Sequence, residues 1–251
     1  MLLLDDAVII SEEGKLTRYD SNFDNPEVLV QGIPSGNHQT NAVNLLPNGT
    51  LIWHSGSTCN HCDEDDSRNA ALLWVNATTG EHGILATGVR NSFDGVWVDE
   101  IGYLFTDNGQ DAEGNDFPNE EVNLLVDGAD YGWLVESKSD PNPDGTEAPV
   151  ATWTPHTSVN GMTTRPANMP GDNYTVYATV YGSWATILPA GHQILKIDFT
   201  QTDDGWVGDV EIFASEVGTP LPITGGPDGN LYYATFDHGG SVHVISPEAN
   251  S

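Results

Sequence analysis

A short segment rich in oxygen-bearing side chains is the first feature of this sequence that could support chemistry. It runs Thr106-Asp107-Asn108-Gly109-Gln110-Asp111, and Glu120, Glu121 and Asn123 follow shortly after it. Carboxylate and carbonyl oxygens are hard donors, and at this spacing they are typical of a calcium site. In a chain this acidic, clustered carboxylates also occur on solvated loops. The pattern predicts bound calcium, with a purely solvated loop as the alternative.

The two cysteines, Cys59 and Cys62, form a single C-x-x-C pair. Two cysteines cannot supply a four-thiolate zinc site. The spacing therefore predicts a local disulfide, and zinc held together with His54 and His61 is the alternative. A thioredoxin-like redox role is disfavoured because no βαβ pattern surrounds the pair. The acidic run that follows, residues 63–66, is expected to be a solvated loop.

The charge of the chain is extreme. Its 251 residues include 37 Asp or Glu against seven Lys or Arg, for a formal net charge of -30. Disorder does not explain this, because 38% of the residues are hydrophobic and seven are Trp. Self-repulsion of this size destabilises a compact state unless salt screens it. The composition predicts a halophilic protein and disfavours nucleic acid or anionic lipid as a partner.

The start of the chain, residues 1–6, has three leucines before two aspartates, so it predicts neither a signal peptide nor an anchor. No apolar run approaches the ~18 residues of a transmembrane helix. No membrane span is predicted.

The elements that must position these residues are β-strands. Short apolar runs bounded by Gly, Asn, Asp and Pro recur along the chain, and helical periodicity is almost absent. A turn that feeds a strand repeats at Glu13-Gly14, Asn48-Gly49, Ile101-Gly102 and Asp228-Gly229, with further units expected near 173–177 and 193–197. Units of roughly 40 to 50 residues are typical of propeller blades. An all-β propeller of about five blades is predicted, with a β-sandwich as the alternative.

Several segments, in order, resemble the glucose/sorbosone dehydrogenase family, and most closely its sorbosone dehydrogenase branch. They extend from about Gly32 to Ile245. The quoted segments are Gly36-Asn37-His38, Leu46-Pro47-Asn48-Gly49, Ser55-Gly56-Ser57-Thr58-Cys59-Asn60-His61-Cys62, Ala86-Thr87-Gly88-Val89-Arg90-Asn91, Thr106-Asp107-Asn108-Gly109, residues 115–123, Asp130-Tyr131-Gly132-Trp133, Gly182-Ser183-Trp184 and Gly226-Pro227-Asp228-Gly229. Each is weak alone, but the ordered set is specific.

The resemblance implies a six-bladed propeller that uses pyrroloquinoline quinone (PQQ) and calcium. Family members are longer, so residues 1–251 are expected to be one propeller domain that lacks an N-terminal portion. Their location outside the cytoplasm is implied as well. The predicted activity is oxidation of a sugar, or another aldose-like alcohol or aldehyde, by hydride transfer to the quinone, with an external electron acceptor.

The resemblance also implies roles for individual residues. His38 holds the position of the general base, and its alternative is a turn histidine bonded to backbone. Arg90 and Asn91 lie in the loop that contacts the quinone, and the alternative for Arg90 is an internal pair with a carboxylate. The metal-linked segment assigns the calcium ligands: Asp107, Asn108, Gly109, Asp111, Glu120 and Glu121.

Two cations usual in the branch are missing. Ala185-Thr186 follows Trp184 where Asn-Arg is typical, and Gly218-Thr219-Pro220 stands where Gly-Arg-Pro is usual. PQQ is a tricarboxylate, so it needs positive charge in its pocket, which Arg90, calcium and either Arg165 or Lys196 could supply. Two alternatives to the dehydrogenase remain open. They are a propeller that binds a ligand or partner without activity, and a calcium-dependent lactonase.

Overall fold

The structure, a computed structural model, describes residues 1–183, 190–237 and 239–247. These residues form strands, turns and bends, and no helix occurs among them. The chain divides into two compact units, Met1–Asp94 with Leu125–Ala148 and Gly95–Leu124 with Pro149–Ser251. They are called the first and second unit below.

The first unit contains two antiparallel sheets of four strands each. The first sheet consists of β1 (Leu2–Leu3), β2 (Ala7–Glu12), β3 (Lys15–Asp20) and β4 (Glu27–Gln31). The second consists of β5 (Thr40–Leu45), β6 (Thr50–Ser55), β7 (Ala71–Asn76) and β8 (His82–Thr87). In both sheets, strands that are consecutive in the chain are neighbours in space, which is the up-and-down order of a propeller blade.

The second unit contains three further sheets of the same order, two of four strands and one of three. The third sheet consists of β9 (Gly95–Val98), β10 (Gly102–Asp107), β11 (Glu120–Leu124) and β12 (Ala151–Trp153). The fourth consists of β13 (Val159–Thr164), β14 (Thr175–Val180), β15 (Gln193–Thr202) and β16 (Gly205–Ser215). The fifth consists of β17 (Pro220–Gly225), β18 (Leu231–Thr235) and β19 (Ser241–Ile245).

The all-β class and the repeated hairpins are therefore confirmed, and five blades are present in the described residues. The turn glycines Gly14, Gly49, Gly102 and Gly229 have φ of 64°, 85°, 121° and 80°, a region that favours glycine. The expectation of separate units near 173–177 and 193–197 was wrong. The strands there, β14 and β15, are neighbours in one sheet. The six-bladed type stays a prediction.

Each unit has its own apolar core. In the first unit the core includes Leu51, Trp53 and Leu73, all fully buried. The run in β6 is buried on both faces from Leu51 to Ser55, which explains why it is continuous rather than alternating. Trp53 donates its indole N–H to Ser11 Oγ at 2.8 Å, so the first two sheets are joined by a hydrogen bond as well as by packing.

Candidate functional site

The candidate base His38 lies in the loop that precedes β5, and its side chain is half-buried. The main chain fixes this loop against the segment that follows β6. His38 N donates to Ser57 O at 3.1 Å, and Asn37 N donates to Thr58 O at 2.8 Å. Gly56 permits the close approach, because a Cβ there would lie 2.6 Å from His38 Cβ. The sequence Gly56-Ser57-Thr58 thus holds His38 through backbone contacts.

The side chain of His38 contacts one hydroxyl whose proton can be located. His38 Nδ1 lies 2.8 Å from Ser57 Oγ, and Ser57 Oγ donates to Cys59 O at 2.7 Å. A serine hydroxyl has a single proton, and a carbonyl oxygen can only accept. Because that proton goes to Cys59 O, the imidazole must donate from Nδ1. Neutral His38 therefore carries its proton on Nδ1 and presents Nε2 as the ring's acceptor nitrogen.

The predicted quinone contact Arg90 is buried, with 4% of its surface exposed. Its guanidinium donates to Asn60, from Nε to the main-chain oxygen at 3.2 Å and from Nη2 to Oδ1 at 2.8 Å. Trp133 Nε1 donates to the same Asn60 main-chain oxygen at 3.2 Å. Asn91, the residue after Arg90, accepts a hydrogen bond on Oδ1 from Asn41 Nδ2 at 3.1 Å. These contacts hold the guanidinium in one place.

The structure joins Cys59 and Cys62 in a disulfide. Among the described residues, one group of three or more His, Cys, Asp or Glu side chains has its candidate ligand atoms within 4.8 Å of one another, and it consists of Cys59, Cys62 and Glu64. Since both sulfurs are in the disulfide, this group offers no thiolate to a metal.

The two histidines of the zinc alternative lie outside that group. His54 is fully buried with Nδ1 2.7 Å from Ser92 Oγ, and burial lowers its pKa to about 3. His61 is exposed, with its ring 6.3 Å from that of Trp133.

The expectation of a solvated loop at 63–66 was wrong for two of its four residues. The Glu64 carboxylate accepts from Thr58 N and Thr58 Oγ1, both at 2.7 Å. Asp66 pairs with Arg68 at 2.7 Å. The Glu64 contacts close the chain around the disulfide, while Asp66 is held in a local ion pair.

The predicted calcium residues belong to the second unit, where β10 ends and β11 begins. Asp107, Asn108 and Glu120 are buried, and strand pairing places Asp107 opposite Glu121. Gly109 lies against Pro118, where a Cβ would approach the proline ring to 2.2 Å. Asp111 is half-exposed, with a carboxylate oxygen 3.9 Å from His156 Nδ1. Three of the six predicted ligands, Asp107, Asn108 and Glu120, are thus withdrawn from solvent.

Burial changes the protonation of the two glutamates. Desolvation raises the pKa of Glu120 to about 7, and the charge of Asp107 adds to the rise, while a hydrogen bond from Ser158 N at 2.9 Å opposes it. Desolvation also raises the pKa of Glu121 to about 8, with further repulsion from Asp107 and Glu120. No cation among the described residues contributes to either pKa shift. A bound divalent ion would stabilise the charged forms of both glutamates.

Three buried oxygens in the same segment have no hydrogen-bond donor: Gln110 Oε1, Glu120 Oε2 and Asn123 Oδ1. A buried acceptor without a donor costs about 1 to 3 kcal/mol. Amide and carboxylate oxygens are the donors that calcium prefers. The donor chemistry fits a hard cation, although the carboxylates alone do not converge, since the group around Cys59 is the one within 4.8 Å among the described residues.

Calcium-free protein is expected to become less stable as the pH rises from 5 to 8. The folded-state pKa values of about 7 and 8 exceed the ordinary 4.5, so the folded state binds more protons in this window. This stabilising contribution is complete below pH 4.5 and is lost as the pH passes through 7 to 8. Urea unfolding in molar salt with a chelator should show that the free energy of unfolding declines by on the order of a few kcal/mol between pH 5 and 8.

The matched variant for this measurement is Glu120→Gln combined with Glu121→Gln, which should flatten the decline. Saturating calcium should do the same in the wild type, because it binds the charged carboxylates. Equal slopes for the wild type and the double variant would contradict the assignment of these two groups.

The positions of the missing cations are only partly described. Trp184 and Ala185-Thr186 lie outside the described residues. Thr219 is half-buried and donates to Asp237 at 2.5 Å, so a carboxylate lies beside the position where an arginine is usual.

Arg165 and Lys196, the other two cations considered for the PQQ carboxylates, make contacts elsewhere in the second unit. Arg165 donates to Asp172 O at 2.9 Å, and Lys196 pairs with Asp198 and Glu211 at 2.5 and 2.9 Å. These contacts do not support the predicted role of Arg165 or Lys196 as a partner of the PQQ carboxylates.

Comparison with known proteins places the fold. The PQQ domain of pyranose dehydrogenase from Coprinopsis cinerea, in its holo form, matches with a TM-score of 0.77 and 17% identity, over 96% of this chain and 79% of that one. A calcium structure of a family AA12 carbohydrate-active enzyme from Trichoderma reesei matches with a TM-score of 0.75 and 15% identity, over 96% and 78%. The chain has the fold of these proteins.

A third structure, the PQQ-bound form of aldose sugar dehydrogenase from Streptomyces coelicolor, matches with a TM-score of 0.67 and 19% identity, over 91% of this chain and 68% of that one. No family model matches the sequence. An uncharacterized protein of Borreliella burgdorferi is 27% identical over 244 residues, which is 85% of this chain and 62% of that protein. Within the described residues, no helix is long and apolar enough to cross a membrane.

Sequence reasoning missed three residues of the first unit: Ser57, Asn60 and Trp133. All three lie inside segments quoted for the family resemblance, but nothing in their spacing connects them to His38 or Arg90. The signal that could have found Ser57 and Asn60 is the C-x-x-C pair. The disulfide closes the loop that contains Asn60, and Ser57 donates to the first residue of that loop.

Proposed function

We propose that the protein is a PQQ-dependent dehydrogenase that oxidises a sugar, or a similar aldose-like alcohol or aldehyde, and passes the electrons to an external acceptor. The observation that carries the proposal is the hydrogen-bond arrangement around His38 Nδ1. A neutral imidazole with its proton held on Nδ1 has its basic lone pair on Nε2, which is what a general base for a hydroxyl proton requires. The fold shared with sugar dehydrogenases supports the same conclusion.

The residues of the chain divide the work of the reaction. His38 Nε2 takes the proton of the substrate hydroxyl as the carbon–hydrogen bond breaks. PQQ, when bound, supplies the two-electron acceptor for the hydride. Arg90 would hold an anionic oxygen of the cofactor with its guanidinium, and the Asn91 amide would add a second contact. The oxygen donors around Asp107 and Glu120 would hold calcium.

The test is a titration of cofactor-free protein with PQQ and calcium in molar salt. Quinone absorbance that remains with the protein after gel filtration, together with sugar-dependent reduction of a dye, is the expected result. Arg90→Ala should weaken both retention and turnover, whereas Arg68→Ala, which removes a cation paired to Asp66, should change neither. Lactone hydrolysis without PQQ would replace the proposal with the calcium-dependent lactonase.

A second candidate function is a propeller that binds a ligand without redox activity. The specific observation that favours it is the Thr219 contact with Asp237, because a carboxylate at that place repels a tricarboxylate cofactor. Under this alternative the protein retains no quinone at any calcium concentration. Thr219→Arg combined with Asp237→Asn should then create retention that the wild type lacks.

A further inference from the structure

The loop closed by the Cys59–Cys62 disulfide contacts Arg90 directly and is linked to His38 through Ser57. On one side Ser57 Oγ joins His38 Nδ1 to Cys59 O, at 2.8 and 2.7 Å. On the other side Asn60 accepts three hydrogen bonds, two from Arg90 and one from Trp133. A single closed turn of four residues therefore supplies the acceptors for the guanidinium of Arg90 and for the Ser57 hydroxyl, which in turn contacts the imidazole.

The main chain leading into this loop reinforces the arrangement. Ser57 N donates to Arg90 O at 2.8 Å, while Ser57 O accepts from His38 N at 3.1 Å. Ser57 is fully buried, so its hydroxyl is sheltered from competing water. Its one proton is directed by a carbonyl on the disulfide loop, and this direction decides which nitrogen of His38 is protonated.

We infer that Ser57 is a positioning residue that sets the tautomer of His38, and that the disulfide loop is the element that makes it do so. The loop orients the Ser57 hydroxyl toward Cys59 O, which forces His38 to donate from Nδ1 and keeps its lone pair on Nε2. The same loop holds Arg90 through Asn60. The inference deepens the proposed function and rests on it for its catalytic meaning, while the tautomer itself can be measured without any activity.

The experiment is nitrogen-15 NMR of the histidine side chains in the folded protein, at a pH where His38 is neutral. The signals of His38 are assigned by their loss in His38→Gln. The wild type is expected to show the Nδ1–H form of His38. Ser57→Ala should shift His38 toward the Nε2–H form, and Ser57→Thr, which keeps a hydroxyl, should restore Nδ1–H.

Ser92→Ala is the matched control, because it removes the hydroxyl from the other serine–histidine pair of the first unit, that of His54. It should leave the His38 tautomer unchanged. Activity gives the second measurement. Loss of an orienting partner typically costs about 10- to 100-fold, so Ser57→Ala should lower kcat by that factor with little change in KM, and Ser57→Thr should recover most of it.

The outcomes separate the two claims. An Nε2–H form of His38 in the wild type, or an Nδ1–H form that persists in Ser57→Ala, overturns the positioning role whatever the activity. If the tautomer follows Ser57 but no dehydrogenase activity is found with PQQ and calcium, the positioning role stands and the proposed function fails. If Ser57→Ala does not fold, an Nε2–H form in the wild type still overturns the positioning role, and the folded Ser57→Thr variant, which keeps a hydroxyl, must show the Nδ1–H form.

Discussion

Replacing His38 with alanine is expected to lower kcat by about 10²- to 10⁴-fold, the usual cost of removing a positioned general base. In the proposed reaction the imidazole accepts the substrate proton on Nε2, while its Nδ1 contacts Ser57 Oγ. Steady-state rates of dye reduction with saturating sugar and PQQ provide the measurement. Folding should be little affected, since the ring is only half-buried and its hydrogen bond to Ser57 is worth about 1 kcal/mol.

His82→Ala is the control for the His38 variant. His82 belongs to the same unit, on β8, and its Nδ1 contacts Gly80 O at 2.9 Å. Its removal deletes an equally large ring with one hydrogen bond, and the rate should stay at the wild-type value. A full rate in His38→Ala, with active wild type measured in parallel, would show that another group is the base.

Withdrawal of salt is expected to unfold the protein. The net charge is -30, and burial is confined to a few of the described acidic residues, such as Asp107 and Glu120, so most of the carboxylates face solvent and one another. At molar ionic strength the Debye length is about 3 Å, and it grows to about 30 Å at 0.01 M, where distant carboxylates repel again. Circular dichroism during stepwise dialysis, with calcium held constant, should record loss of the β-sheet signal.

A variant with fewer carboxylates provides the control for salt withdrawal. Asp203→Asn, Asp204→Asn and Asp209→Asn change three exposed residues in or beside β16 that have no ion pair in the described structure. Their combination should move the salt midpoint of unfolding to a lower concentration. A melting temperature that is the same in molar and millimolar salt would contradict the halophilic assignment.

The fold was predictable because its signals are local. A turn glycine with positive φ before a strand is visible in the sequence as Asn48-Gly49 or Asp228-Gly229, and repetition of that signal gives the blades. The assignment of β14 and β15 to separate units failed because strand pairing depends on contacts across the chain, which local composition does not record.

The candidate site was predictable only where chemistry is concentrated in one segment. Asp107, Asn108 and Glu120 lie close together in the chain, so the sequence could indicate that they belong to one site, and all three are buried. The hydrogen bonds from Arg90 and Trp133 to Asn60 link residues 30 and 73 positions apart. No spacing rule connects such positions, and the role of Ser57 depends on the direction of a single proton.

The short disulfide bears on how the protein should be produced. Cys59 and Cys62 are three residues apart, and a bridge across so small a ring constrains the unfolded chain by only about 2 kcal/mol. Material expressed in a reducing cytosol would therefore be soluble and have the normal sheet content. Its Cys59–Cys62 disulfide would nevertheless be reduced, so the loop that contains Asn60 would not be closed. Specific activity per folded molecule, compared between oxidising and reducing hosts, is the measure of quality that distinguishes such preparations.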